Sequence, residues 1–395
     1  MEKLRVKLLA FANAEESVYT RGKKRFLNIL NKDKVEFVAE RPDILLFLSG
    51  GSERAAVSQM EDYLFYLLIA SKDDNSYASA TEVKAWCNQN QISSMLCDLE
   101  QPELQSIVDD LFHVKNGIHK LKGQRLGLIG NVSDWLVASN VSPFVLSTKL
   151  GVELVKLDWN EIPIRDNLSV PGYFADTYNT SSQGVSKDKI LDSGKVYEQL
   201  ALTVSKFNLD AITVECFPMV NECKISACLA LSKFNADLFT AGCEGDLCSA
   251  AGMMISREIC GVVPWMANTV SVSGSVGIFA HCAVPLNLLS DFELDSHFET
   301  NEGLAVRGNI SAKEVTLFRI NSALSHIFIT KALVKRIPKM KSACRTQVEL
   351  VLSNNAVNYF RNNPFGNHHL ILPGDYTQRL LLAAKTLKMN VVEAL

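Results

Sequence analysis

The chain lacks any run near the ~20 consecutive apolar residues that span a bilayer, so no transmembrane helix organises it. It also lacks a block of Lys or Arg. With a formal net charge of −3 and 21% charged residues, nothing in its electrostatics calls for nucleic acid or an anionic membrane. A small-molecule ligand is the default. None of the ten cysteines stands in a C-x-x-C pair, which argues against zinc ribbons and dithiol redox centres. Cys87, Cys216, Cys228 and Cys260 sit in apolar segments and read as reduced, buried thiols. Cys243, Cys248, His281 and Cys282 make a loose zinc-type set whose spacing suits packing thiols better. The opening "MEKLRVKLLAFANAEES" has too short an apolar run for a secretory signal, so a cytoplasmic location is expected.

A length of 395 residues leaves room for two or three domains and a cleft. Residues 1–122 alternate strand-like and helix-like segments, which predicts a parallel α/β sheet. There "KVEFVAE" and "PDILLFLSGGSE" read as strands, and "RAAVSQMEDYLFYLLIAS" as a long amphipathic helix. The G-x-x-x-x-G-K-[ST] frame is missing, so Gly50 and Gly51 mark a strand-to-helix turn and not a phosphate loop. Residues 123–240 form a second α/β unit, with strands in "GQRLGLIG", "GVELVKLDW" and "DAITVECF" and a helix in "KVYEQLALTVSKFN". Between them the turn-rich "PGYFADTYNTSSQGVSKDK" reads as a long functional or mobile loop. In residues 241–395 helices become scarce and strand-like runs cluster, which predicts a largely antiparallel, barrel-like domain.

The stretch "FTAGCEGDLCSAAGMMI" sets Glu244 and Asp246 among small and apolar residues. A buried carboxylate needs a partner cation, a metal or a raised pKa. Asp246 is equally placed to cap the helix that follows. Other candidates cluster in the same half: Glu215 at the end of "AITVECF", Glu222 in "NECKISACLALSKF", His281 in "FAHCAVP", and His368 and His369 in "GNHHLILPGDY". Carboxylates with imidazole suit Mn²⁺ and similar divalent ions. On a strand, His368 and His369 point to opposite faces, so at most one faces a metal.

Over residues ~125–395, "VYEQLALTVSKFNLDAITVECF", "CLALSKFNADLFTAGCEGDLCSAAGMMI", "GIFAHCAVP" and "NHHLILPGD" resemble the L-fucose/L-arabinose isomerase family, more narrowly its shorter fucose-isomerase-like members. The resemblance implies two Rossmann-like α/β domains followed by the β-rich domain, and a metal-dependent aldose–ketose isomerase working through an enediol. It implies Mn²⁺ or another divalent ion held by Glu222, Asp246 and His368, with Glu222 and Asp246 also moving protons. Glu244, His281, His369 and Glu215 then stand behind the ligands or touch the sugar. For Glu222 a plain first-turn glutamate, and for His281 a core imidazole, remain open.

The resemblance also implies a homo-oligomer, trimeric or hexameric, with the site near a protomer interface. The chain is shorter than full-length fucose and arabinose isomerases, which leaves the sugar open. A non-catalytic sugar-binding protein, or an isomerase or epimerase of a sulfonated sugar, are the alternatives. On this reading Asp246→Asn abolishes isomerisation in a protein that stays folded.

Overall fold

The computed structural model describes residues 1–30, 32–179 and 185–393. The chain divides into two compact units. The first comprises Met1–Asn116 and Gln378–Lys388. Its strands β1 (Leu4–Leu9), β2 (Val35–Phe37), β3 (Ile44–Phe47), β4 (Phe65–Ala70) and β5 (Ser93–Asp98) form a parallel sheet in the order β2-β1-β3-β4-β5. The connecting helices are α1 (Glu16–Ile29), α2 (Glu53–Val57) and α3 (Ser76–Gln89), and α4 (Leu104–Leu121) follows β5.

Every residue of β3 and β4 is buried, as expected for central strands covered on both faces. This corrects the long helix expected over "RAAVSQMEDYLFYLLIAS". Only Glu53–Val57 is helical there, and "FYLLIA" is a strand. A short all-apolar run carries no periodicity that separates a buried strand from a buried helix.

The second unit comprises Gly117–Thr377 and Met389–Leu395, and it holds both the second sheet and the barrel. Strands β6 (Arg125–Ile129), β7 (Glu153–Leu157), β8 (Ala211–Val214) and β9 (Thr240–Cys243) run parallel in the order β7-β6-β8-β9. They alternate with α5 (Pro143–Leu150), α6 (Gly172–Asn179), α7 (Lys187–Phe207), α8 (Cys216–Cys223), α9 (Cys228–Ala236) and α10 (Leu247–Cys260). The expected long loop is in part helical: α6 buries Phe174 and Tyr178 completely, and residues 180–184 lie outside the described residues. Glu222 does not open a helix. It sits near the end of α8, which stops at Lys224 with φ 60°, and α9 begins four residues later.

The remaining strands are β10 (Trp265–Ser273), β11 (Val276–His281), β12 (Leu289–Asp295), β13 (Ala305–Ile310), β14 (Glu314–Ile320), β15 (His326–Arg336), β16 (Thr346–Val351), β17 (His368–Pro373) and β18 (Asn390–Glu393). Helices α11 (Asn354–Asn362) and α12 (Thr377–Thr386) interrupt them. Six strands close in the order β14-β17-β10-β11-β16-β15, with β15 pairing back to β14. The result is the antiparallel barrel the strand clustering predicts, its edges consumed by closure. Strand β18 adds to β15 in parallel, and β12 with β13 makes a separate ribbon.

Candidate metal centre

Three elements of the second unit supply the site: the turn from β9 into α10, the end of β11 and the start of β17. The turn is Glu244-Gly245-Asp246. Glu244 and Gly245 both have positive φ, 60° and 68°. A Cβ on Gly245 would stand 2.2 Å from the Asn131 carbonyl oxygen, so the close passage of these two backbones admits only glycine. Glu244 holds its left-handed conformation at a cost of about 1–3 kcal/mol, which the surrounding packing must offset.

Asp246 and Glu244 come out of this turn with different duties. Asp246, fully buried, caps α10: its Oδ1 accepts from the Ser249 backbone N–H at 2.6 Å. Its Oδ2 faces three more partners, Ser249 Oγ at 2.9 Å, Arg319 Nη1 at 3.1 Å and His368 Nδ1 at 2.9 Å. Arg319 is also fully buried and donates to Ser249 Oγ and Ser139 Oγ. Burial would raise the Asp246 carboxyl, but the Arg319 charge and His368 hold it well below the usual carboxylate range. With four donors on its two oxygens, Asp246 is committed to the buried network around Arg319 and His368.

Glu244 keeps one oxygen less committed. Trp135 Nε1 donates to Oε2 at 2.6 Å, and the Trp135 ring, half exposed, packs edge-on against Phe217. Glu244 Oε1 lies 3.8 Å from His281 Nε2 and 3.7 Å from His368 Nε2. Burial pushes this carboxyl up, yet His281 and His368 overcome it and keep Glu244 ionised.

His368 is positioned by strand register. Its cross-strand partner is Asn268 on β10, whose other neighbour is Ala280 on β11, and His281 ends that strand. The two imidazoles meet edge to face with centroids 5.6 Å apart. His281 Nδ1 accepts from the Ala283 backbone N–H at 3.2 Å, so Nε2 carries the ring proton toward Glu244, and a cation bound at Nε2 would have to displace that proton. His368 donates from Nδ1 to Asp246, which leaves Nε2 as the nitrogen that bears the lone pair once the ring is neutral, and that nitrogen is buried without a hydrogen-bond partner. A carboxylate behind an imidazole whose far nitrogen is unpaired is the arrangement that orients a histidine toward a metal.

Glu244, His281 and His368 each offer one ligand atom, all within 4.8 Å of one another, and among the described residues they are the one group so spaced. A buried Glu/His/His set of this kind can hold a divalent cation, and the orphaned His368 nitrogen fits that role.

Of the expected ligands, the geometry brings in His368 and not the other two. Glu222 is exposed on α8, and Asp246 is engaged by four donors behind His368. Glu244 and His281, expected behind the ligands, stand in front. His369 points the other way, as strand alternation requires. It bonds Thr269 Oγ1 and Tyr359 OH among aromatic rings, and burial together with the Arg319 charge pushes it down to about 3. Glu215 follows β8 and accepts from the Asn131 backbone N–H at 2.7 Å.

The loose zinc set does not assemble. Cys243 Sγ lies 3.2 Å from Cys216 Sγ, Cys248 faces the Ala138 carbonyl, and Cys282 contacts the thiols of Cys228 and Cys344.

Trp135 and Arg319 escaped the sequence reading. Trp135 carried no signal, whereas Arg319 did: it is the one charge inside the otherwise uncharged, mostly apolar run "VTLFRI" of β14. No family model matches the chain, and no curated protein matches it.

The protonation of His368 sets a pH dependence. Burial opposes a charge on the ring, but the Asp246 bond and the negative charges of Glu244 and Asp246 push it up to about 9. A cation at Nε2 must displace that proton, so affinity for Zn²⁺ or Mn²⁺ is expected to rise about tenfold per pH unit between pH 7 and 9, with at least one proton released. Titration calorimetry in buffers of different ionisation enthalpy counts that proton. The metal-free protein follows the opposite sign: the contribution of charged His368 to stability is full below about pH 6.5 and fades as pH rises through 9.

Proposed function

We propose that the chain is a divalent-metal-dependent aldose–ketose isomerase acting on a monosaccharide, with Glu244, His281 and His368 holding the ion, Mn²⁺ or a close analogue. The observation that carries this reading is the unpaired, buried His368 Nε2 facing an ionised Glu244. The sequence resemblance to L-fucose/L-arabinose isomerases supports the choice of reaction.

Aldose–ketose exchange moves a proton between neighbouring carbons and another between their oxygens, and an unassisted C–H is far too weak an acid for this. A bound divalent ion supplies the Lewis acidity that makes it feasible. The protein's own groups do the rest. Glu244, ionised and with Oε1 free of a close donor, would supply the negative charge that holds the ion. Trp135 fixes its second oxygen, and Asp246 holds the tautomer of His368. Glu222, exposed, takes no part at this centre.

The test is a panel of aldoses, including sulfonated hexoses, incubated with and without Mn²⁺ and analysed for ketose by NMR. Ketose that appears with Mn²⁺ and vanishes with EDTA is the expected result. Sugar binding that ignores the chelator, with no product from any member, would replace the enzyme by a sugar sensor.

A further inference from the structure

Helix α8 separates two cavities of different character. Phe217 lines a very small one together with Glu244, His281 and the thiols. Pro218, Met219 and Glu222, on the other side of the helix by the 100° step per residue, line an open cleft of about 560 Å³. We infer that this cleft is a carbohydrate-binding site separate from the candidate metal centre, taking a neutral mono- or disaccharide.

Its polar lining has one chemistry. Asn160, Arg165, Asp166, Gln199 and Glu222 all end in planar groups with two or more polar atoms, the geometry that pairs with neighbouring hydroxyls of a sugar ring. Trp159 adds a flat apolar face, while the edge that carries its buried indole N–H lies against Gly130 and takes no part in the cleft. Gly130 makes room for that edge: a Cβ there would stand 2.8 Å from Trp159 Nε1 and 2.5 Å from Glu215 Oε2. Gln199 donates to the Pro163 carbonyl, which leaves its own oxygen to accept.

Charge excludes the obvious rivals. Arg165 is bound by Asp166 at 2.8 Å, and Glu222 tips the balance negative, so among the described lining residues an anion or a nucleotide phosphate finds no free cation. The cleft also lies where ligands of open α/β sheets collect. Trp159 follows the carboxyl end of β7, and α8 follows β8, beside the reversal of strand order between β6 and β8.

The test uses the full chain in excess EDTA, so that it reads binding and not turnover. Saturation-transfer NMR and calorimetry are run with D-glucose, D-galactose, D-xylose, maltose and lactose. At least one is expected to bind with millimolar or better affinity. Glu222→Gln, at an exposed position, and Trp159→Leu, which removes the aromatic face, each weaken it about tenfold in proteins that stay folded by thermal denaturation. Absence of binding by the whole panel, or affinity untouched by both substitutions, overturns the assignment. A failed isomerase assay leaves it standing, because no metal is present here.

Discussion

Glu244→Gln is expected to lower the affinity for a divalent cation by more than about a hundredfold while leaving the chain folded. The substitution keeps the shape of the side chain and an oxygen that can accept from Trp135, but it removes the negative charge from between two imidazoles. That charge is the strongest attraction the group offers a cation, so the loss should exceed the ten- to hundredfold typical of groups that only orient a ligand. The loss of stability should be smaller than for a carboxylate paired with arginine, since a histidine left without its counter-charge can shed its proton. Calorimetry with Mn²⁺ and Zn²⁺ reads the affinity, and thermal denaturation in EDTA reads the fold. Unchanged cation affinity in the folded variant would place the ion elsewhere.

The barrel and the α/β class of both parallel sheets were legible because helices interleave closely with strands in the first two-thirds of the chain and become scarce after it, although the periodless β4 was not read as a strand. Strand alternation separated His368 from His369. What it could not do was order residues inside a tight turn. Glu244 and Asp246 are two apart, but positive φ at Glu244 and Gly245 swings the backbone, so neither helix nor strand periodicity says which carboxylate faces the histidines. Glu222 was placed by resemblance on a helix assumed to begin there. The α8 helix instead ends just beyond it, and exposure follows. Arg319 was readable in principle: a lone guanidinium in a buried strand demands a buried anion, and Asp246 is that anion.

This last pairing changes what Asp246→Asn should do. The sequence reading predicts a folded, inactive protein, but the structure argues for a fold in difficulty. Asparagine can still accept from the Ser249 backbone through its oxygen, yet its amide then turns N–H groups toward Arg319 and His368 Nδ1, donors facing donors. A fully buried guanidinium loses its counter-charge, a change that costs about 3–5 kcal/mol when one member of a buried pair is removed. Urea denaturation should show that loss, and cation affinity should fall by about ten- to a hundredfold as His368 loses its orienting carboxylate. The double variant Asp246→Asn with Arg319→Met separates the two effects. Removing the stranded cation should recover most of the stability, whereas the affinity should stay low, because nothing restores the acceptor behind His368. Full recovery of both would mean that Asp246 serves Arg319 alone, and a single variant as stable as the parent would mean that the buried pair contributes nothing net.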